Sequence, residues 1–420
     1  MLYLKLPLNQ NNVLSCTLNK IKENAKIALE KIQNMRVMAN DLSIYIHWPF
    51  CLSKCPYCDF NSHVANIIDH NQWLKSYETE IEYFKDIIQN RYIKSIFFGG
   101  GTPSLMNPVV VEGIINKISN IAVIDNQTEI TLETNPASFE TEKFKAFKSA
   151  GINRVSIGVQ SLKEDDLKKL GRTHDALQAI KTIEVANTIF PRVSFDLIYA
   201  RSGQKLKDWQ EELKQAMQLA NGHISLYQLT IEKGTPFYKL FHEGNLILPH
   251  SDEAAEMYEW TNHYLESKKY FRYEISNYAQ VEHECLHNLT YWNYNSYLGI
   301  GPGAHSRIID ASSSVPAIMM WHKPEKWLDS VKTKNVGIQT NAKLTNQEII
   351  EEILMMGLRL KSGINISTLE QKVNAKLADI LDINNLKHYQ ALDLIRLDEN
   401  IYLTDKGLML HSYIVPRLIK

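Results

Sequence analysis

Asp41-Leu-Ser-Ile-Tyr-Ile-His-Trp-Pro-Phe-Cys51-Leu-Ser-Lys-Cys55-Pro-Tyr-Cys58 is the stretch on which the reading of this chain turns. Its first half is short, β-branched and aromatic, the pattern of a strand. Its second half carries Cys51, Cys55 and Cys58 in a CxxxCxxC spacing. A cubane iron–sulfur cluster normally takes four thiolates, so three from one loop leave one iron open to a small molecule that offers an amine and a carboxylate. Two other readings of the same residues stand beside this one. Three thiolates with His47 or His63 make a Cys₃His zinc site, and three cysteines can also be plain core residues.

The rest of the composition narrows the field. The chain has 420 residues, 44% hydrophobic, with a formal net charge of −1. That length exceeds what one core usually serves, so two or three domains are expected. No apolar run approaches a membrane span, and the near-zero charge gives no global attraction to nucleic acid or an anionic membrane. There are five cysteines, and Cys16 and Cys285 stand apart from the cluster of three. This is not a disulfide framework, and it suits a reducing cytosol. Residues 1–40 read as an N-terminal extension. Its first 37 residues hold six basic side chains against Glu23 and Glu30, with no apolar signal core. Residues 19–36 have a weak helical period, while Met38 offers an alternative start.

Strand-like runs recur from Ser43 to Thr230: 43–48, 95–98, 129–133, 154–160, 193–199 and 223–230. Helical periods fall between them at 73–88, 110–118, 143–150 and 206–219. Repeated strand–helix units imply a parallel sheet. Six units do not close an eight-stranded barrel, so the expected fold is α/β, an open partial (β/α)6 barrel over residues 41–280. Chemistry in such a fold gathers at the carboxyl ends of the strands. There lie the cysteines, Gly99-Gly100-Gly101-Thr102-Pro103, Glu133, Gln160 and, late in the fifth strand, Asp196. A triple glycine lets a ligand approach the backbone closely. Glu133 and Asp196, on strands expected to be buried, need a ribose diol or an arginine as partner.

With these residues in place the chain resembles, from about Asp41 to Lys420, the family of oxygen-independent coproporphyrinogen III oxidases and their heme-chaperone relatives in the radical-SAM superfamily. The motifs are Tyr45-Ile-His-Trp-Pro-Phe-Cys51, Cys55-Pro-Tyr-Cys58-Asp-Phe-Asn-Ser-His63, Phe98-Gly-Gly-Gly-Thr-Pro-Ser104, Glu133-Thr-Asn-Pro136, Gly158-Val-Gln-Ser161 and Leu170-Gly-Arg-Thr-His174. The resemblance implies a [4Fe–4S] cluster on Cys51, Cys55 and Cys58. It places Tyr45, Tyr57, Gly100, Gly101, Thr102, Glu133, Gln160, Arg172 and Asp196 around S-adenosylmethionine (SAM). The oxidase branch has a further cysteine two positions after the third ligand; here that position is Phe60. The chaperone branch reads CPYCDFNSH and carries HNxxYW, matched by His287-Asn-Leu-Thr-Tyr291-Trp292. That resemblance implies heme binding through His287, with His305 and His283 as competing ligands. A neutral imidazole is a standard axial ligand for heme iron, and Tyr291, Trp292, Tyr294 and Tyr297 offer a flat apolar wall.

One departure stands out: Ala200-Arg201-Ser202 occupies the place of the family's Gly-Leu-Pro, which changes the allowed angles of that turn. Residues 281–340 read as a connecting segment. Residues 341–420 read as a winged-helix-like α+β domain, with a wing at Ile401–Thr404. Ten Lys/Arg and ten Asp/Glu between Lys343 and Lys420 leave no basic stripe for DNA. The expected function is a cytoplasmic heme chaperone that binds a cluster, SAM and heme and passes heme to acceptor proteins, with any membrane contact peripheral and made through those acceptors. The alternative is a coproporphyrinogen III dehydrogenase, in which reduced SAM chemistry removes hydrogen from a propionate side chain. A zinc-binding protein with no redox role is the distant third.

Overall fold

The computed structural model of the protein describes residues 41–65, 67–138, 140–309 and 315–420. Residues 19–36, expected as a helix, and Cys16 lie outside them. The first strand, β1 (Asp41–Trp48), sets the pattern for the fold. Leu42, Ile44, Ile46 and Trp48 are fully buried on one face, where Trp48 meets Trp73 edge-on. Ser43, Tyr45 and His47 occupy the opposite face, because successive side chains of a strand alternate.

Five further strands repeat this arrangement: β2 (Tyr92–Gly100), β3 (Glu129–Thr134), β4 (Arg154–Gln160), β5 (Arg192–Tyr199) and β6 (His223–Gln228). All pair in parallel and in sequence order. Between them run α1 (His70–Tyr83), α2 (Pro108–Ser119), α3 (Thr141–Ser149), α4 (Ala176–Ile189) and α5 (Leu206–Ala216). Helix starts are chemically marked. Asp69 accepts from the Asn71 and Gln72 amides, and Asp175 and Gln178 form a capping box on α4. The expected parallel (β/α)6 partial barrel is therefore present, and α4 is an element the periodicity reading passed over.

The segment expected to be a connection is different in kind. Residues 281–340 supply strand material to the same sheet. The antiparallel β7 (Phe271–Glu274) and β8 (Asn277–Ala279) edge it beyond β6. Then β9 (Tyr297–Ile300) pairs in parallel with the free side of β1, and β10 (His305–Arg307), β11 (Pro316–Met320) and β12 (Ile338–Lys343) extend it antiparallel. The sheet has 12 strands in the order β12-β11-β10-β9-β1-β2-β3-β4-β5-β6-β8-β7. Short strands broken by glycine and proline carry too little alternation to be read from sequence.

A second core gathers Ile349, Ile353, Leu354, Ile401, Leu403 and Ile414 with their neighbours. Its three-stranded sheet (Ile364–Asn365, Ile395–Leu397, Asn400–Leu403) and the closing helices Asp405–Met409 and His411–Leu418 form the wing and last helices expected there. This module grips the barrel by ion pairs. Arg359 meets Glu274 at 3.0 Å and Arg307 meets Glu352 at 2.6 Å.

The departure at Ala200-Arg201-Ser202 has a clear accommodation. Ala200 adopts φ +55°, a left-handed conformation that glycine takes without strain. Arg201, with its side chain only 4% exposed, is fixed by donating to the Ile198 carbonyl at 2.6 Å, to Asp166 at 2.9 Å and to Glu212. Fully buried Glu212 also accepts from the Ser161 hydroxyl and the Leu162 amide. Arg201→Met is expected to destabilise the protein by about 3–5 kcal/mol, since it strands the Glu212 carboxylate in the interior. Urea unfolding checks this, and an unchanged midpoint contradicts it.

Candidate cofactor site at the barrel mouth

The inner strand faces are polar. Serines, acids and arginines stand where a closed barrel would stack aliphatic layers. They satisfy one another at depth: Ser95 donates to Ser43 at 2.8 Å, Arg154 donates to Ser194 at 2.9 Å, and Arg192 lies 3.2 Å from Glu129. Toward the carboxyl ends this pairing runs out, and the interior opens into a cavity of about 390 Å³. Tyr45, Gly100 and Glu133 line it. So do His47, Phe60, Asn61, Tyr291, Tyr297, Gly303, Ala304 and His305.

The three cysteines follow β1 on a loop that packs against this mouth. All three are free thiols at intermediate exposure. The Cys58 amide donates to the Cys55 carbonyl at 3.1 Å, which closes the loop between them. Two donors aim at sulfur. The Thr102 hydroxyl lies 3.4 Å from Cys51 Sγ, and Arg172 Nη1 lies 3.3 Å from Cys55 Sγ. Arg172 also donates to the Gly158 carbonyl at 2.7 Å and to the Tyr57 hydroxyl at 3.4 Å. Its Nε is buried with no partner. Burial raises the thiol pKa of Cys51 and of Cys58, and it raises that of the Tyr57 phenol. Gln160 closes β4 at φ +70°, a strained geometry for a residue with a side chain.

The glycine turn has a different role from the one its sequence suggests. A Cβ on Gly101 would stand 2.6 Å from the Phe50 carbonyl, and one on Gly100 (φ +112°) would strike the His47 ring. These glycines leave room for the His47 ring and for the Phe50 backbone at the start of the cysteine loop. Gly101 donates to the Trp48 carbonyl and Thr102 to that of Phe50, so the turn clamps the loop to β2. Gly100 keeps one face on the cavity, where its amide donates to Glu133 at 3.1 Å.

Glu133 and Asp196 form an acidic pair. Burial raises the Glu133 carboxyl to about 8, and the Asp196 charge adds to it. Burial raises Asp196 to about 6 against the hydroxyls of Ser225 and Ser156 and the charge of Arg154. A cationic ligand would restore both to the ionised form.

His287 does not stand where the expectation put it. It lies on α6 (Leu286–Trp292) and is 2% exposed. Its Nδ1 is 2.8 Å from the Ser95 hydroxyl and its Nε2 is 2.9 Å from the Tyr291 hydroxyl. Its ring stacks on Phe97 at 4.9 Å. Burial lowers its pKa to about 3. Both ring nitrogens are engaged in the ligand-free protein, and Nε2 ties the ring to Tyr291 on the cavity wall. Trp292 faces the second module, where Arg359 covers its ring at 4.6 Å. His283 packs its ring against Gly222, beside the amino end of β6 and away from the mouth.

Two residues escaped the sequence reading. Asn61 donates to the carbonyls of Pro302 and His322 at 3.1 and 3.0 Å and fixes the glycine-rich loop. Glu80, fully buried, accepts from the Gly301 and Gly337 amides at 2.8 and 2.7 Å and from the Trp327 indole. The signal for Glu80 was present: Trp73, Tyr77, Glu80 and Ile81 share one face of α1.

Residues 45–216 match the Radical SAM superfamily and residues 344–410 match the HemN C-terminal domain. The fold and these matches define a radical SAM protein. The chain is 35% identical over 405 residues to radical S-adenosyl methionine domain-containing protein 1, mitochondrial, of Danio rerio, covering 94% of this chain and 89% of that one. It is 34% identical over 371 residues to the heme chaperone HemW of Bacillus subtilis, covering 88% and 96%. The chain belongs to this HemW-type family of radical SAM proteins. Coproporphyrinogen III oxidase (HemN) of Escherichia coli shares the fold, with a TM-score of 0.76 at 20% identity over 91% of this chain and 92% of that one.

The acidic pair gives the ligand-free protein a defined pH response. The folded state holds the Glu133 proton up to about 8, while a free glutamate side chain loses its proton near 4.5. Between those limits the unfolded chain has already released its proton, so stability falls as pH rises. Glu133→Gln is expected to flatten this slope and to raise the melting temperature at pH 8.5 more than at pH 5. An equal effect at both pH values contradicts the assignment.

Proposed function

We propose that the protein is a heme chaperone. It holds a [4Fe–4S] cluster on Cys51, Cys55 and Cys58, binds SAM beside it, and carries heme for transfer to acceptor proteins. The observation that carries the reading is one loop of three part-exposed thiols, two of them met by donors from other loops, beside a cavity walled by aromatic rings. The donor set fits a cluster. Hydrogen bonds to the sulfurs, here from Thr102 and Arg172, are a normal way for a protein to tune its potential. When bound, the cluster supplies an electron that can pass to SAM.

The remaining roles fall to the chain's own groups. Glu133 and Asp196 provide negative charge for a cationic ligand, and the Gly100 amide and Tyr45 border the same space. Gly101, Thr102, Gln160, Arg172 and Tyr57, which the family resemblance also places around SAM, are not part of the cavity lining itself. Phe60, where the oxidase branch has cysteine, is 60% exposed and forms part of the wall, which favours carrying a flat apolar ligand over oxidising coproporphyrinogen III. The names of the bacterial relatives point the same way. No helix of the described residues is long and apolar enough to cross a membrane. The thiols call for a reducing compartment, for which we take the cytoplasm, although several relatives are named as mitochondrial. The partners are heme-accepting proteins, not nucleic acid.

Anaerobic reconstitution tests the reading. Cys51→Ala, Cys55→Ala and Cys58→Ala are each expected to abolish bound iron and sulfide, while Cys285→Ala retains both. Full iron in any of the three overturns the ligand set. Glu133→Ala and Asp196→Ala are expected to weaken SAM binding by about 1–3 kcal/mol each, the usual loss when a buried partner is removed. In the parent protein, heme uptake without decarboxylation of coproporphyrinogen III supports the chaperone; decarboxylation without heme uptake replaces it with the dehydrogenase.

A further inference from the structure

Strand β4 does not run true to its end. From Arg154 to Gly158 it pairs residue for residue with β5, and Gly158 stands opposite Asp196. The next pair is Gln160 with Leu197, where an unbroken ladder would put Gln160 opposite Ile198. Val159 is therefore an extra residue, a β-bulge. Gln160 accommodates it at φ +70°, a conformation that a residue with a side chain keeps only where its surroundings enforce it.

Two side chains from the turn 170–174 supply that enforcement. Arg172 Nη2 donates to the Gly158 carbonyl at 2.7 Å, and His174 Nε2 lies 3.1 Å from the Val159 carbonyl. A carbonyl only accepts, so Nε2 carries the proton. His174 is 3% exposed. Burial and the Arg172 charge lower its pKa to about 4, which keeps the ring neutral at physiological pH. The turn itself is fixed. The amides of Leu170, Gly171 and Arg172 donate to the carbonyls of Asp166, Lys168 and Leu167. Gly171, at φ +66°, sits so close to the cysteine loop that a Cβ would stand 2.6 Å from the Pro56 ring.

The consequence of the bulge shows at Gly158. A Cβ there would meet Gln160 Nε2 at 3.1 Å and Arg172 Nη2 at 3.7 Å. The Gln160 amide therefore folds back over the inner face of β4, next to Arg172 and alongside the Asp196 position of β5. Bulges beside binding sites commonly re-aim a side chain in this way. We propose that His174 is a positioning residue of the SAM site: its bond to the Val159 carbonyl keeps β4 bulged and holds the Gln160 amide on the inner face beside Arg172. This deepens the SAM-binding reading above and rests on it. The held amide offers a donor and an acceptor, which the ribose diol or the amino-acid end of SAM can meet.

The test is calorimetric titration of the full-length, cluster-loaded protein with SAM, with iron and sulfide measured on the same samples. Two amides of unequal reach separate positioning from burial. In His174→Gln the amide nitrogen reaches as far as the imidazole Nε2, and SAM affinity should stay as in the parent. His174→Asn is too short for the Val159 carbonyl and should bind SAM about tenfold more weakly, the factor of one ordinary hydrogen bond, with iron and sulfide unchanged. Gln160→Gly takes the left-handed turn without strain and removes the amide. It should weaken SAM binding alone, and adding His174→Asn should weaken it no further, because the histidine acts through the glutamine. Losses that add, equal losses in His174→Gln and His174→Asn, or parent affinity in His174→Asn each overturn the proposal while the SAM-binding reading stands. Loss of the cluster in His174→Asn makes the histidine a general structural residue and overturns it too. A cluster-loaded parent that binds no SAM overturns both.

Discussion

The structure depends on one alternation. Each of the six parallel strands turns aliphatic residues outward to the helices and polar residues inward. The outward set (Leu42, Ile44, Ile46; Ile96, Phe98; Val155, Ile157, Val159) is almost wholly buried, and its transfer from water, at about 25 cal/mol per Å², drives the barrel together. The inward set cannot be left unpaired. Near the amino ends it pairs with itself, through Glu129, Arg154, Arg192 and the serines. Toward the carboxyl ends Tyr45, Gly100 and Glu133 border an open cavity instead. The same polar lining that makes a stable base therefore makes a receptive mouth.

The mouth is held in shape from behind. Among the described residues no cation pairs with Glu80; burial raises it to about 7 against the Gly301 and Gly337 amides and the Trp327 indole. By these bonds it links α1 to the loops after β9 and before β12. The Tyr77 hydroxyl donates to the His47 carbonyl at 2.6 Å, which joins the same helix to the end of β1. On the other side, α6 couples the two cores. His287 and Tyr291 face the barrel, while Trp292 and the last carbonyls of that turn face the second module, where Lys372 donates to the Asn293 and Tyr294 carbonyls at 2.7 and 2.9 Å. The HNxxYW motif is in this sense a joint, and its histidine is a part of the barrel wall.

Much of this was legible in the sequence. Strand β4 ran from Arg154 to Gln160 as its alternation indicated, and every parallel strand of the partial barrel was visible because a period of two is unambiguous when one face is aliphatic. Cys51, Cys55 and Cys58 fell at the end of β1 because loops that follow parallel strands collect there. What failed was orientation. The spacing of His287 and Tyr291 is i, i+4, which puts them side by side on a helix. That spacing argued for mutual hydrogen bonding, not for a free ligand, but the motif drew attention to the residue rather than to its neighbour. The glycines of 99–101 marked a close approach correctly, yet sequence could not say that Phe50 and His47 were the groups approaching. Ala200 could be flagged as a misfit, but its remedy, Arg201 against Glu212, joins residues whose meeting depends on the tertiary fold.

The central claim is that the strand ends present a three-thiolate cluster with one open corner beside an acidic pocket for a cationic ligand. Electron paramagnetic resonance of the anaerobically reconstituted, dithionite-reduced protein, recorded with and without SAM, addresses this directly. The account predicts the signal of a reduced [4Fe–4S] cluster whose g-values shift when SAM is added, as one iron gains the ligand's amine and carboxylate. A colourless protein that holds zinc, or a cluster signal that SAM leaves unchanged, would contradict it.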